Sequence, residues 1–548
     1  MIKNIFWLLI MVPMSLLAEN SSGDEWILRL NQEGRVEAMD DGHWTPVQSE
    51  GLPLKALYPS YEPQPRPFNT LEQSGSIVLA TTNLGLFKSQ DSARSWEMVY
   101  SRLKVARYAF FTAMALSPLN NSLIALGTSS HGMHISKDQG KSFTEFDFDL
   151  ELLSFGGNYI DSFTALEFSK TDENILYVSL GFRGIVLEVN LLTQEVKNLD
   201  FGPQRGHWIS QIEHLKEGED EYLLIRDENR YWRYRSGNWY SGEPAPQRPA
   251  MSPAKARRML AARDRYGIYI TSYHAMREDF LEAHLDFIQE RGFNAIVIDF
   301  KDDNGKVTWD TDNPLARQIG ATNDRLKLDE IVQKVHERGI YLIARVVVFK
   351  DPRLWTYANN KYAVWDNTTG RPWGHFKEVQ NSDGSTSFVR REYWVDTYSQ
   401  EVWDYNISLS KELEKRGVDE IQFDYIRFPS DGPTQNAHYR FKKPHMTQME
   451  ALESFLMKAR SELSVPISTD VFGFTGWYEM DYLGQNVRMM SRYVDVISPM
   501  LYPSHFPWFF FGTGEYTEKA KMIYQEGANR TYFMSELGFI PGPTSRLS

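Results

Sequence analysis

The stretch Gly417-Val418-Asp419-Glu420-Ile421-Gln422-Phe423-Asp424-Tyr425-Ile426-Arg427-Phe428-Pro429 decides how the C-terminal half of the chain is read. Before it, Val402, Tyr405, Leu409 and Leu413 recur at helical spacing, and Lys415 and Arg416 suit the negative end of that helix. Gly417 supplies the left-handed residue that commonly ends a helix. A short strand follows, whose alternation puts Ile421, Phe423 and Tyr425 on one face and Gln422, Asp424 and Ile426 on the other. A carboxylate and a guanidinium therefore stand at the C-terminal end of a buried strand.

The same helix–glycine–strand junction occurs at Glu290-Arg291-Gly292-Phe293 and at Glu337-Arg338-Gly339-Ile340. Strands are predicted at Tyr266–Ser272, Ala295–Phe300, Tyr341–Phe349, Glu420–Phe428, Pro466–Phe472 and Val494–Tyr502. Helices are predicted at Arg277–Glu290, Leu326–Glu337, Thr447–Leu463 and Tyr516–Gln525. Such alternation implies a parallel sheet covered by helices. Polar residues end every strand, as a TIM-like barrel requires of its active face. A doubly wound nucleotide fold would carry a glycine-rich turn after its first strand, and Ser272-Tyr273-His274-Ala275 is not one. A seventh strand is expected at Thr531–Met534 and no eighth unit is found, so the barrel is read as incomplete at its C-terminus.

Four phrases carry a resemblance: Val297 to Gly305, Ala344 to Asp351, Ile421 to Gly432 and Ser498 to Pro503. They resemble a glycoside-hydrolase-like TIM-barrel family of bacterial exported proteins over about residues 264–530. The resemblance implies a carbohydrate-active barrel laid out like amylase- and chitinase-like enzymes. The chitinase signature has a catalytic Glu two residues after an Asp, and Ile426 stands at that place here.

The N-terminal half has another rhythm. Ile77-Val78-Leu79-Ala80 leads to Gly85 through Trp96, and Leu123-Ile124-Ala125-Leu126 leads to Gly132 through Phe143. A third copy runs from Ile175 to Leu187, with echoes at Asp40–Trp44 and Ser236–Trp239. The period of roughly 45–50 residues is that of a four-stranded propeller blade. Ser89–Trp96 and Ser136–Phe143 resemble the Asp-box hairpin of sialidase-like propellers, in which the Asp side chain bonds local N–H groups. The arginine trio and acid–tyrosine pair of a working sialidase are not recognisable, so a scaffold or binding module of about five blades is expected.

Lys3 followed by the apolar run Ile5–Leu17 reads as a secretory signal peptide cut after Ala18. The run is too short to span a bilayer comfortably, and no other transmembrane segment appears. The chain has no cysteine, which excludes disulfides, thiolate metal sites and a lipoprotein anchor. An exported protein, periplasmic or secreted, is expected. A net charge of -13 gives no electrostatic reason for nucleic-acid binding. The expected organisation over 548 residues is multidomain: signal peptide 1–18, all-β propeller 24–241, proline-rich linker 242–258 and α/β TIM-like barrel 259–548.

Glycoside hydrolysis uses two carboxyl groups, one protonated as acid and one ionised as nucleophile or base. Asp424 is the candidate for the ionised group, held charged by Arg427 or Arg345. Asp470 and Asp299 are rival candidates for the acid. Candidate substrate contacts are Arg345, Arg427, Tyr425, Tyr502, Lys301 and Trp373, the last from an aromatic-rich segment between Asp351 and Val395. That segment reads either as subsite walls or as a small core that lets a long loop fold. His274, His375, His438 and His445 are scattered, and Asp302, Asp303 and Asn304 suit a polar turn, so no metal or cofactor is expected. The alternative is a non-catalytic glycan-binding or envelope scaffold protein.

Overall fold

A computed structural model describes residues 27–536 apart from 32, 41–42, 107–108, 150–160, 182–183, 202–208, 219, 228–229, 245–251, 479, 509 and 511–514. The expected signal peptide at 1–18 lies outside the described residues, as does part of the expected linker.

The N-terminal half is all β. A three-stranded sheet within 28–46 is followed by four-stranded antiparallel sheets within 70–101, 111–145, 163–198 and 211–244. Consecutive sheets pack face to face: Leu79 and Leu86 meet Met114 and Leu126, and Ala125 and Ile135 meet Phe163 and Leu176. Tyr177 and Val186 meet Ile212 and Leu223 in the same way. Two turns share one bond pattern. Asp91 Oδ1 accepts the Ser95 N–H at 2.8 Å, and Asp138 Oδ1 accepts the Ser142 N–H at 2.9 Å. The closing Trp96 and Phe143 pack on Phe68 and Tyr100, with ring centroids 4.5 and 4.3 Å apart.

The C-terminal half is an α/β layer. Six parallel strands, β1 (Gly267–Ile270), β2 (Ala295–Lys301), β3 (Tyr341–Val347), β4 (Glu420–Asp424), β5 (Ile467–Phe472) and β6 (Val496–Met500), pair in chain order. Two short strands, Val307–Trp309 and Thr322–Leu326, extend the sheet beside the end of β2. Outward residues Ile270, Ile296, Ile298, Leu342, Ala344, Ile421, Phe423 and Ile467 are buried in one core with the helices. Those helices supply apolar residues at i, i+3, i+4 and i+7, such as Leu281, Leu285 and Ile288 of α1 (Glu278–Glu290). Val402, Tyr405, Leu409 and Leu413 of α2 (Gln400–Lys415) do the same. Among the described residues β1 and β6 do not pair, so the sheet is open between them, and β6 carries Pro499.

Two expectations are corrected. Thr531–Met534 is not a strand but the end of α4 (Tyr516–Glu536). Gly527 lies within that helix because it is a contact point rather than a break: a Cβ there would come within 2.4 Å of Leu501 and 3.0 Å of Trp477. The expected linker 242–258 overlaps regular structure at both ends, since a strand runs to Pro244 and a helix begins at Pro253. Ser252 caps that helix, and proline at its first position needs no N–H partner.

The halves are joined by buried charge. Arg66 Nη1 donates to Glu450 Oε1 at 2.6 Å, with side chains 4% and 0% exposed, at the start of α3 (Gln448–Glu462). Lys55 pairs with Glu453 at 3.2 Å, and the Tyr58 N–H donates to Ser454 Oγ at 3.1 Å. Arg530 of α4 pairs with Asp161 at 3.0 Å, and Arg102 pairs with Asp481. Among the described residues no helix is long and apolar enough to cross a membrane.

Candidate active site

The inward face of the sheet is polar because each strand alternates into it near its C-terminal end. The register aligns Asp299 with Arg345, Arg345 with Gln422, Gln422 with Ser468, and Asp470 with Ser498. Arg345 is the hub. Its Nη1 donates to Asp299 Oδ1 at 2.5 Å, its Nε donates to Asp424 Oδ2 at 3.0 Å, and its Nη2 donates to the same Asp424 oxygen. Burial works against the charged guanidinium, but Asp424 and Asp299 outweigh it and hold its pKa above the ordinary arginine value. The paired reading of Arg345 offered by the sequence is therefore the observed one, and Arg427 does not pair with Asp424. Arg427 stacks instead near Trp394 and Tyr425, 4.9 and 5.4 Å from their ring centres, and bonds Ser430 Oγ at 3.1 Å.

The two rivals for the acid differ in their surroundings. Asp299 accepts from Arg345 on one oxygen and from the Tyr269 hydroxyl on the other, at 2.5 Å. Burial raises its carboxyl pKa, while Arg345 and Tyr269 pull it back. Among the described residues the Asp470 carboxylate accepts only the Gln422 amide, at 2.9 Å on Oδ1. Burial pushes its carboxyl well above the usual range, and the Asp424 charge adds to this against the opposing pull of Arg345.

Asp424 ends β4, and the next residue breaks the alternation. Tyr425 has φ +48°, a left-handed conformation costly for a bulky side chain, and its N–H donates to Asp424 Oδ1 at 2.5 Å. Strain of this kind persists only where the surroundings impose it, and it gathers at functional sites. The half-buried Tyr425 ring carries Lys350 Nζ at 4.7 Å. Tyr502 follows β6 and is 53% exposed; burial of its hydroxyl and the charges of Asp470 and Asp424 raise its pKa.

Two expected substrate contacts are corrected. Lys301 is fully buried, 2.8 Å from Asp351 Oδ2 and 2.6 Å from the Val347 carbonyl. Simple alternation would place it on the face of Asp299. A bulge between them pairs Asp299 with Arg345 but Lys301 with Val346, which turns the lysine outward. Trp373 is 1% exposed and donates from Nε1 to the Pro433 carbonyl at 3.0 Å. With Trp394, Tyr362 and Val395 it joins the core, so this part of the long segment is a small core rather than a sugar platform.

The sequence reading missed Tyr269 and Glu420. The period-two pattern of their strands was the available signal, since both lie on the inward face with Asp299 and Asp424. A cleft of about 330 Å³ lined by Arg265, His336, Tyr341 and Asp419 opens at the N-terminal ends of the strands, the end opposite Asp299, Asp424 and Asp470. Among the described residues no group of His, Asp and Glu is arranged to hold a metal ion.

Polar residues gather at the C-terminal ends of successive parallel strands, the rim at which α/β enzymes commonly carry their chemistry. Residues 267–537 match the family described as "Putative glycosyl hydrolase domain". A hypothetical protein from Ruminiclostridium thermocellum is 31% identical over 37% of this chain and 97% of its own, with a TM-score of 0.31. The PgaB glycoside hydrolase domain from Bordetella bronchiseptica is 10% identical over 48% of this chain and 81% of its own, at a TM-score of 0.32. An alpha-galactosidase from Thermus thermophilus is 14% identical at a TM-score of 0.25, with 54% of each chain covered, so this chain spans about half its length. No curated protein matches the sequence.

Proposed function

We propose that the protein hydrolyses O-glycosidic bonds in a polysaccharide or cell-envelope glycan. Asp424 acts as nucleophile or base and Asp470 as the acid. The observation that carries this reading is the unequal sharing of Arg345. The guanidinium engages Asp424 and Asp299 and makes no hydrogen bond to Asp470. Two titratable groups whose environments push them apart are what acid and base roles require. Asp299, bonded on both oxygens, positions Arg345. Tyr425 and Tyr502 contact the sugar from the rim, and Arg427 supports the Tyr425 side of it.

The N-terminal sheets are read as an Asp-box propeller over 24–241 serving as a scaffold, and 259–548 as the catalytic unit. The apolar leader supports export to the periplasm or outside the cell. The test is hydrolysis of a glycan panel by wild type, Asp424→Asn and Asp470→Asn. Each variant is expected to lose about 10²–10⁴-fold in kcat, and an unchanged rate in folded Asp424→Asn sinks the assignment. The opening between β1 and β6 favours a second reading, a non-catalytic glycan-binding protein; binding without product in all three proteins supports it.

A further inference from the structure

The ladder between β4 and β5 ends early. Its last pair is Phe423 with Thr469, one residue short of both candidate catalytic aspartates. Beyond that point β4 turns away at Tyr425, while β5 continues to Phe472 beside β6. The edge of β5 that faced β4 then presents the Asp470 carbonyl and the Phe472 N–H with no strand to receive them.

Gln485 takes that place. Its Oε1 accepts the Phe472 N–H at 2.8 Å, and its Nε2 donates to the Asp470 carbonyl at 3.2 Å and to the Ile426 carbonyl at 3.1 Å. The side chain is 1% exposed. One acceptor and two donors on a rigid plane match one N–H and two carbonyls, so only an amide in this orientation satisfies the set. Glutamate would set a carboxylate against two carbonyl oxygens, and methionine would leave all three backbone groups unpaired. The amide thus forms a rung between the chain leaving Asp424 and the strand carrying Asp470.

The loop that delivers Gln485 is itself held. The Phe428 N–H donates to the Leu483 carbonyl at 3.0 Å, Met480 bridges to Gln485, and Asp481 pairs with Arg102 of the N-terminal half. We propose that Gln485 is the positioning residue that sets the separation of Asp424 and Asp470. The inference rests on the hydrolase reading for its functional meaning, but its structural content is independent of any substrate. The separation of the two carboxyl groups determines the stereochemical outcome of glycoside hydrolysis, at about 5–5.5 Å for retention and about 6.5–9.5 Å for inversion.

The test follows the Asp470 carboxyl directly in the full-length protein. Aspartate labelled with ¹³C at Cγ is titrated by NMR, and the Asp470 signal is the one absent from Asp470→Asn. In Gln485→Met the Asp470 midpoint is expected to fall by about one pH unit as the two carboxyl groups move apart. Gln485→Asn keeps the amide but is one methylene shorter, and a fall of about half that size is expected. Thr164→Val, which removes a buried hydroxyl bond in the N-terminal half, is the control for general loosening and is expected to leave the midpoint in place. An unchanged midpoint in a folded Gln485 variant overturns the proposal, as does an equal shift in the control. No glycan is needed, so failure to find hydrolysis and failure of this inference are separate results.

Discussion

At the scale of single residues, the site is one cation shared by two of three aspartates. Arg345 is 16% exposed and its partners Asp299 and Asp424 are 8% and 11% exposed as side chains, so solvent screens the cluster little. Arg345→Met leaves two buried carboxylates without their cation, and a loss of about 3–5 kcal/mol is expected from denaturant unfolding. Glu420 gives a pH signature. Burial, against a hydrogen bond from the Tyr341 hydroxyl, pushes its carboxyl up to about 6. A raised carboxyl stabilises the fold fully below its unfolded pKa, and that stabilisation is lost as pH rises through about 6. Glu420→Gln is expected to match wild type below about pH 4.5 and to exceed it by about 2 kcal/mol above pH 7, measured as stability against pH. Asp424, Asp299, Arg345 and Asp470 were legible in the sequence because polar residues interrupt buried strands. Arg345 was one of two partners offered for Asp424, while the bonds of Asp299 to Tyr269 and of Asp470 to Gln422 were not legible. A bulge reassigned Lys301, and Gln485 arrives from a loop that no periodicity marks.

At the scale of elements, six strands were visible, three of them from the helix–glycine junctions that precede them, with ends differing by a few residues. The misread element was the last one. The predicted helix stops at Gln525, whereas the missing Cβ of Gly527 lets α4 continue against Leu501 and Trp477. Gly473 has a related use. It follows β5 directly, and a Cβ there would sit 2.4 Å from the Met500 carbonyl oxygen. That neighbour is backbone and cannot swing aside as a side-chain tip can. Gly473→Ala is expected to cost about 1–3 kcal/mol by thermal unfolding, because the ends of β5 and β6 must part. Asp470 sits on β5 three residues earlier, so the same variant is expected to lower any activity more than stability loss alone accounts for.

At the scale of the whole molecule, the sequence suggested two domains on a proline-rich connector, and the buried contacts between them had no local signature. Arg66, Lys55 and Arg102 lie hundreds of residues from Glu450, Glu453 and Asp481, so only folding brings them together. Arg66→Met strands a fully buried Glu450, and a loss of about 3–5 kcal/mol is expected. Calorimetry of wild type is expected to show one transition for both halves, and the variant to shift it as a unit. Two resolved transitions would show that the halves unfold independently. The open sheet has a further consequence, for how copies of the protein behave toward one another. Unpaired strand edges are templates for aggregation, and a crowded compartment punishes them. Here β1 is only four residues long, and Pro499 gives β6 one backbone position with no N–H to offer an incoming strand. The edges of β1 and β6 left unpaired among the described residues are therefore poor seeds for edge-to-edge assembly, and the sheet can stay open between them without recruiting a strand from a second molecule.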